Sequence, residues 1–158
     1  MTSILFICTG NIFRSMVAEY ALKSLLADVP GMTVGSAGIE ALIQPMHPLI
    51  RERLLTKGVD PSGHLQRKLT RELLEIADVP VAMGLNHQEY VRLQFGRNVR
   101  LFNEICYDVK EPVLDIHEAM PDWHLDLARA REYAVSVVDY IWNAMPAFLA
   151  GIARLRNA

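Results

Sequence analysis

The chain has only two cysteines, Cys8 and Cys106, in 158 residues. That rules out a disulfide framework and makes a reducing compartment, the cytoplasm, the expected location. No uninterrupted apolar run approaches the roughly 18–20 residues that a bilayer span needs. Met1 to Ile7 has no basic flank and is too short for a secretory leader. Charge of one sign is also lacking: 16 Lys and Arg are interspersed with 18 Asp and Glu, for a formal net charge of −2. Such a surface draws in no polyanion as a whole, so neither nucleic acid nor a membrane is an expected partner. Arg92, Arg97 and Arg100 read as solvated surface. The histidines show no compact ligand spacing, so neither a metal nor another cofactor is expected. His47, His87, His117 and His124 read as surface groups. Repeats, low-complexity tracts and an interdomain linker are missing too, which leaves one domain over 1–158, long enough for a substantial core.

What is present is alternation. Short apolar runs at Ile4–Cys8, Met32–Ser36, Val79–Met83 and Val99–Phe102 read as strands. Segments with helical spacing fall at Arg14–Ala27, Pro48–Lys57, Thr70–Glu75, Asn86–Gln94 and Leu125–Met145, with Pro146 expected to end or kink the last. Strands alternating with helices predict an α/β fold, a four-stranded parallel sheet covered on both faces in three layers. Ligands of such sheets bind beyond the C-terminal ends of the strands, and Cys8 stands at one such end.

The residues that follow carry the chemistry. Cys8-Thr9-Gly10-Asn11-Ile12-Phe13-Arg14-Ser15 joins the first strand to the first helix. A helix start offers free backbone N–H groups to an anion, and five residues between cysteine and arginine let the chain curl round a tetrahedral oxyanion with its amides inward. Gly10 and Asn11 suit the positive φ of such a turn. Arg14 supplies a planar fork for two phosphate oxygens. The helix start and the guanidinium both favour the thiolate, the nucleophilic form of Cys8. Ser15 is placed to donate a hydrogen bond to that thiolate when it leaves. A cysteine at a strand end is often only a small core residue; the strand, the Gly-Asn turn, the arginine and the helix together favour a phosphate-transfer site.

With these residues the chain resembles the low-molecular-weight protein tyrosine phosphatases and their arsenate-reductase relatives over nearly its whole length. The stretch Ile7 to Ser15 resembles the family's signature loop, Ser36-Ala37-Gly38 its Ser-Ala-Gly segment, and Gly58-Val59 with Gly63 to Leu69 its Gly-Ile and His-x-Ser-Arg-Gln-Leu stretch. Asp78 to Met83 resembles the third strand and Val99 to Phe102 the fourth. The resemblance implies a phosphotyrosine phosphatase I-like, flavodoxin-like architecture, with Ser36 supporting Asn11 and His64 bracing the loop. It implies a hydrolase acting through a cysteinyl-phosphate on Cys8, with Thr9 to Ser15 binding phosphate or similar oxyanions such as arsenate and vanadate. The expected substrate is a phosphorylated protein or a small aryl phosphate.

Departures from the family pattern are equally specific. Phe13 stands where relatives carry a second active-site cysteine, which removes the partner for a protective disulfide. Gly84 stands where Asp is usual after the third strand. The loop between Gly38 and Pro45 is shortened, with Leu42 among apolar residues where relatives place an aromatic over the substrate. The family's Asp-Pro pair, which supplies the general acid, is missing. Matching Pro121-Asp122 makes Asp122 the expected acid with Trp123 as an aromatic wall beside Leu42; Glu118 is the alternative acid. Relatives specific for phosphoarginine carry Thr where this chain has Ile12, which disfavours that substrate. Two other functions fit the loop: arsenate reduction with a small-molecule thiol, and a catalytically weak module that binds phosphate or protein.

Overall fold

The computed structural model describes residues 1–157. Four parallel strands, β1 (Thr2–Cys8), β2 (Met32–Gly38), β3 (Val79–Ala82) and β4 (Arg100–Leu101), lie in the order β2-β1-β3-β4. Seven α-helices connect or follow them: α1 (Arg14–Leu25), α2 (Pro48–Thr56), α3 (Arg71–Ile76), α4 (Leu85–Phe95), α5 (Phe102–Tyr107), α6 (Ile116–Ala119) and α7 (Leu127–Arg156). This is the α/β sheet expected from the alternating pattern. The chain direction of the order reverses at β1, so the crevice of the switch point opens between β1 and β3, where Cys8 ends its strand.

Strand alternation builds the two faces. Ile4, Phe6 and Cys8 of β1 point into a core with α1, α5 and α7, whereas Leu5 and Ile7 point into a second one with Leu74, Val91 and Leu101. Phe6, Phe102 and Phe148 pack as an aromatic cluster, with ring centroids 5.2–6.2 Å apart. β1 therefore has no solvent-facing side, which is why it reads as a continuous apolar run.

α7 does not stop before Pro146 but runs on to Arg156. Pro146 removes one N–H from the helical ladder, and burial of Phe148, Gly151 and Ile152 against the core offsets that loss. α7 is also long and apolar enough to cross a membrane by length and composition, although polar residues interrupt its apolar run. Its stripe of Ala134, Val137, Val138, Ile141, Met145 and Phe148 is instead core of the domain. Short α5 and α6 have no periodicity to betray them. Arg97 is not simply solvated either, since its guanidinium donates to the carbonyls of Leu74 and Ala77.

An ion-pair clamp joins α2 to α7. Asp139 accepts from Arg53 at 2.7 and 2.8 Å and lies 2.9 Å from Lys57. The Arg53 hydrogen bonds, with Lys57 behind them, hold its carboxyl down to about 2 from 3.8. A depressed acid stabilises the fold above its unfolded value and loses that contribution as pH falls through the folded one. Melting temperature should therefore drop as pH goes from about 4 to 2, and Asp139→Asn should flatten that part of the curve. After solvent screening, the difference is on the order of 1 kcal/mol. A variant as acid-sensitive as the parent would refute the clamp.

Candidate active site

The residues from Cys8 to Ser15 form a loop that wraps the N-terminus of α1. Asn11 has a φ of 54°, the left-handed conformation a curled loop needs, whereas Gly10, expected to share it, has no positive φ. Among the described residues, the backbone N–H groups of Gly10 to Arg14 donate to no protein acceptor, and Phe13 caps α1 without a side-chain hydrogen bond. The amides are thus left to an anion. Gly38, opposite Cys8 in the sheet, has no room for a side chain: a Cβ there would come within 2.5 Å of Thr9 O and 2.8 Å of Asn11 N.

Asn11 organises the thiol's surroundings. Its Nδ2 donates to Ser15 Oγ at 3.1 Å and to Ser36 Oγ at 2.7 Å, while Oδ1 accepts the Arg67 amide at 3.0 Å. Because Ser15 Oγ accepts from Asn11, its own proton is free for Cys8 Sγ, 2.8 Å away. Ser36 in turn donates to Glu19. His64 Nε2 lies 2.7 Å from the carbonyl of Asn11 and donates to it. Ser15, Ser36 and His64 thus meet at the loop.

Arg14 is 2 % exposed and spread over four acceptors. Nη1 donates to Val113 O at 2.8 Å and faces Glu118 Oε1 at 3.5 Å; Nη2 faces Thr9 Oγ1 at 3.4 Å and Asp115 Oδ2 at 3.5 Å. Val113 is itself spliced to the end of β3, its amide donating to Met83 O at 2.8 Å. The guanidinium is therefore moored to the sheet and reaches the loop with its remaining donors.

Of the two carboxylates named as acid from the sequence, Glu118 faces Arg14 and Asp122 does not. Asp122, chosen for its proline, stands exposed beyond α6 and makes no contact with Arg14 among the described residues; its carbonyl accepts the Leu125 amide. Asp115, not named as acid from the sequence, meets Arg14 beside Glu118. Asp115 Oδ1 accepts the amide of Ile116 at 2.7 Å, and its Oδ2 faces Arg14 and, at 3.6 Å, His117 Nδ1. Glu118 Oε1 is already shared between the Asp115 amide, at 3.0 Å, and Arg14. Tyr133 of α7 ties the segment down through Leu114 O. Asp115 was legible as the N-cap three residues before Glu118, a capping box, although no proline adjoins it.

Other placements follow. Leu42 is 74 % exposed in the loop after β2, whereas Trp123 lines a groove of about 470 Å³ with His47, Leu49, Ile116, His117 and Leu127. Phe13 is buried in the core, and Cys106 lies under α7, where burial pushes its thiol up to about 12. His87, read as a surface group, is wholly buried beside Thr9. Its place in the first turn of α4 was the available signal.

A parallel α/β sheet whose switch point holds a cysteine, a loop of free amides and a buried arginine has the form of an oxyanion-binding protein. The family model described as low molecular weight phosphotyrosine protein phosphatase matches residues 3–155, and the chain belongs to that family. It is 40% identical over 93 residues to the low molecular weight protein-tyrosine-phosphatase Ptp of Acinetobacter johnsonii, covering 56% of this chain and 61% of that protein. The match thus spans less than two thirds of that relative's length. With the protein-arginine-phosphatase of Bacillus subtilis it is 36% identical over 117 residues, 72% of this chain and 74% of that one. The structure superposes with a TM-score of 0.81 on a YwlE arginine phosphatase mutant carrying a phosphorylated active site serine, at 26% identity and 99% coverage of each chain.

Proposed function

We propose that the protein is a phosphomonoester hydrolase that acts on aryl phosphates, phosphotyrosine among them, through a cysteinyl-phosphate. The observation that carries this is the Asn11–Ser15–Cys8 relay beside an Arg14 fork, because passive anion binding needs no nucleophile. The Cys8 thiolate attacks phosphorus, the S–P bond forms and the P–O bond to the leaving group breaks. Arg14 and the loop amides hold the equatorial oxygens. Asp115 delivers the proton to the leaving oxygen. The arriving dianion takes over Arg14 and releases Asp115 from that contact. In the second step Asp115 takes a proton from water, the water oxygen bonds phosphorus, and the S–P bond breaks to a thiolate that Ser15 Oγ–H stabilises. The serine phosphorylated in the arginine phosphatase neighbour supports a covalent route on this fold.

Ile12 offers no hydroxyl to a guanidinium, so phosphoarginine is disfavoured as substrate. Arsenate reduction through protein thiols is disfavoured by Cys106, whose buried sulfur is directed at Ala144 O. Turnover of p-nitrophenyl phosphate and a phosphotyrosine peptide, beside a phosphoarginine peptide and arsenate-dependent oxidation of a small thiol, tests the reading. Aryl turnover is expected; its absence from the wild type across pH 4 to 9 would overturn it, and arsenate-driven thiol oxidation without it would favour the reductase.

A thiolate nucleophile without a resolving thiol suits a reducing compartment, the cytoplasm. Peroxide should inactivate the protein, with a fraction that dithiothreitol no longer restores growing with exposure time, and bound vanadate should protect. Full recovery after long exposure would show that a disulfide forms after all.

A further inference from the structure

His87 and Thr9 form a second hydrogen-bonded unit at the loop, and the mechanism above leaves it unused. His87 Nδ1 accepts the Gly84 amide at 2.9 Å. That bond leaves the ring proton on Nε2, which donates to Thr9 Oγ1 at 2.9 Å. Burial first, and the Arg14 charge second, press the imidazole down to about 3, so it is neutral near pH 7 and keeps this tautomer. Thr9 Oγ1 receives a second N–H, from Arg14 Nη2 at 3.4 Å. A hydroxyl has two lone pairs and one proton. Both lone pairs now face donors, and among the described residues no acceptor takes the proton. Thr9 directly follows Cys8 and is half-buried, and its hydroxyl lies beside the Arg14 fork.

We propose that Thr9 Oγ1–H is a further hydrogen-bond donor to the bound oxyanion, oriented by His87 acting as a positioning residue. The inference rests on the oxyanion site proposed above. The other donors of the loop are backbone amides and Arg14; Thr9 is a side-chain donor whose direction is imposed from α4. A partner that accepted from Thr9 would draw the proton away from the anion, whereas the Nε2–H tautomer can only donate. This gives a role to the bare amide of Gly84, which fixes that tautomer.

The test compares wild type, Thr9→Val, Thr9→Ser, His87→Leu and the Thr9→Val/His87→Leu double variant. Vanadate binding and kcat/KM for p-nitrophenyl phosphate are measured on each, with melting temperature as the folding control. Thr9→Val should weaken vanadate binding and lower kcat/KM by about tenfold to a hundredfold, the loss expected for a hydrogen bond to a charged group. Thr9→Ser should regain most of that. A folded His87→Leu should approach Thr9→Val, and the double variant should be no worse than Thr9→Val alone. Vanadate affinity and kcat/KM of Thr9→Val within about twofold of wild type would overturn the inference, the change being below one hydrogen bond. So would a loss that Thr9→Ser fails to recover, because shape and not the hydroxyl would then be responsible. If His87→Leu does not fold, the Thr9 pair decides alone. A wild type that binds vanadate, loses it in Thr9→Val and hydrolyses no aryl phosphate would support the donor while overturning the hydrolase reading. A wild type that binds no vanadate would overturn both.

Discussion

Replacing Cys8 with Ser should lower kcat for p-nitrophenyl phosphate by at least about 10⁴-fold, the scale of losing a catalytic nucleophile. Vanadate or phosphate binding should survive within about tenfold, since Arg14 and the loop amides make the anion contacts and none is removed. The reason lies in the loop. Ser15 Oγ receives the Asn11 amide and has only one proton to give, and Cys8 Sγ stands 2.8 Å from it. That arrangement suits a sulfur that carries charge both before attack and after phosphate departs. A serine alkoxide is far harder to form, and no histidine or carboxylate hydrogen-bonds Cys8 among the described residues to generate one. Mass spectrometry of the variant after exposure to an aryl phosphate should at most show slow addition of one phosphoryl group. A Cys8→Ser variant with near wild-type turnover would remove the nucleophile from the mechanism altogether.

The loop was legible because its constraints are local. A thiol, a turn-forming Gly-Asn, a guanidinium and a helix start sit within eight consecutive positions, and each residue type has a separate physical reason to be there. β1 was legible for a similar reason, since burial on both faces demands an unbroken apolar run. Interactions between distant segments were harder to read. His87 looked like a surface group because a single histidine near a helix start carries no periodicity, and only the approach of α4 to the loop buries it. The run of α7 through Pro146 depends on the grip of Phe148 and Ile152 on the core, which outweighs one missing hydrogen bond. The proline rule describes the local cost and is silent about that tertiary gain.

The general acid shows the same division most sharply, and its replacement carries the second large effect. Asp115→Asn should lower kcat/KM, which reports the step that expels the leaving group, by about 10²–10³-fold for a phenyl phosphate, and by much less for p-nitrophenyl phosphate, whose leaving group needs little protonation. Asp122→Asn should be close to wild type on both. Glu118→Gln should fall between them, because Glu118 Oε1 caps the Asp115 amide and its loss loosens the segment without removing the acid. The ranking follows from how the carboxylates are held. Asp115 has one oxygen fixed by the Ile116 amide and turns the other to Arg14, so one oxygen orients and the other is available to a proton. Its neighbours secure the position: Val113 is bonded to both the β3 end and Arg14, and Leu114 O accepts from Tyr133 of α7. No proline adjoins Asp115, and these cross-links hold the segment. Leaving-group dependence separates this from a structural role, since a loosened loop would slow both substrates alike. A crippled Asp122→Asn beside a fast Asp115→Asn would move the acid across the loop.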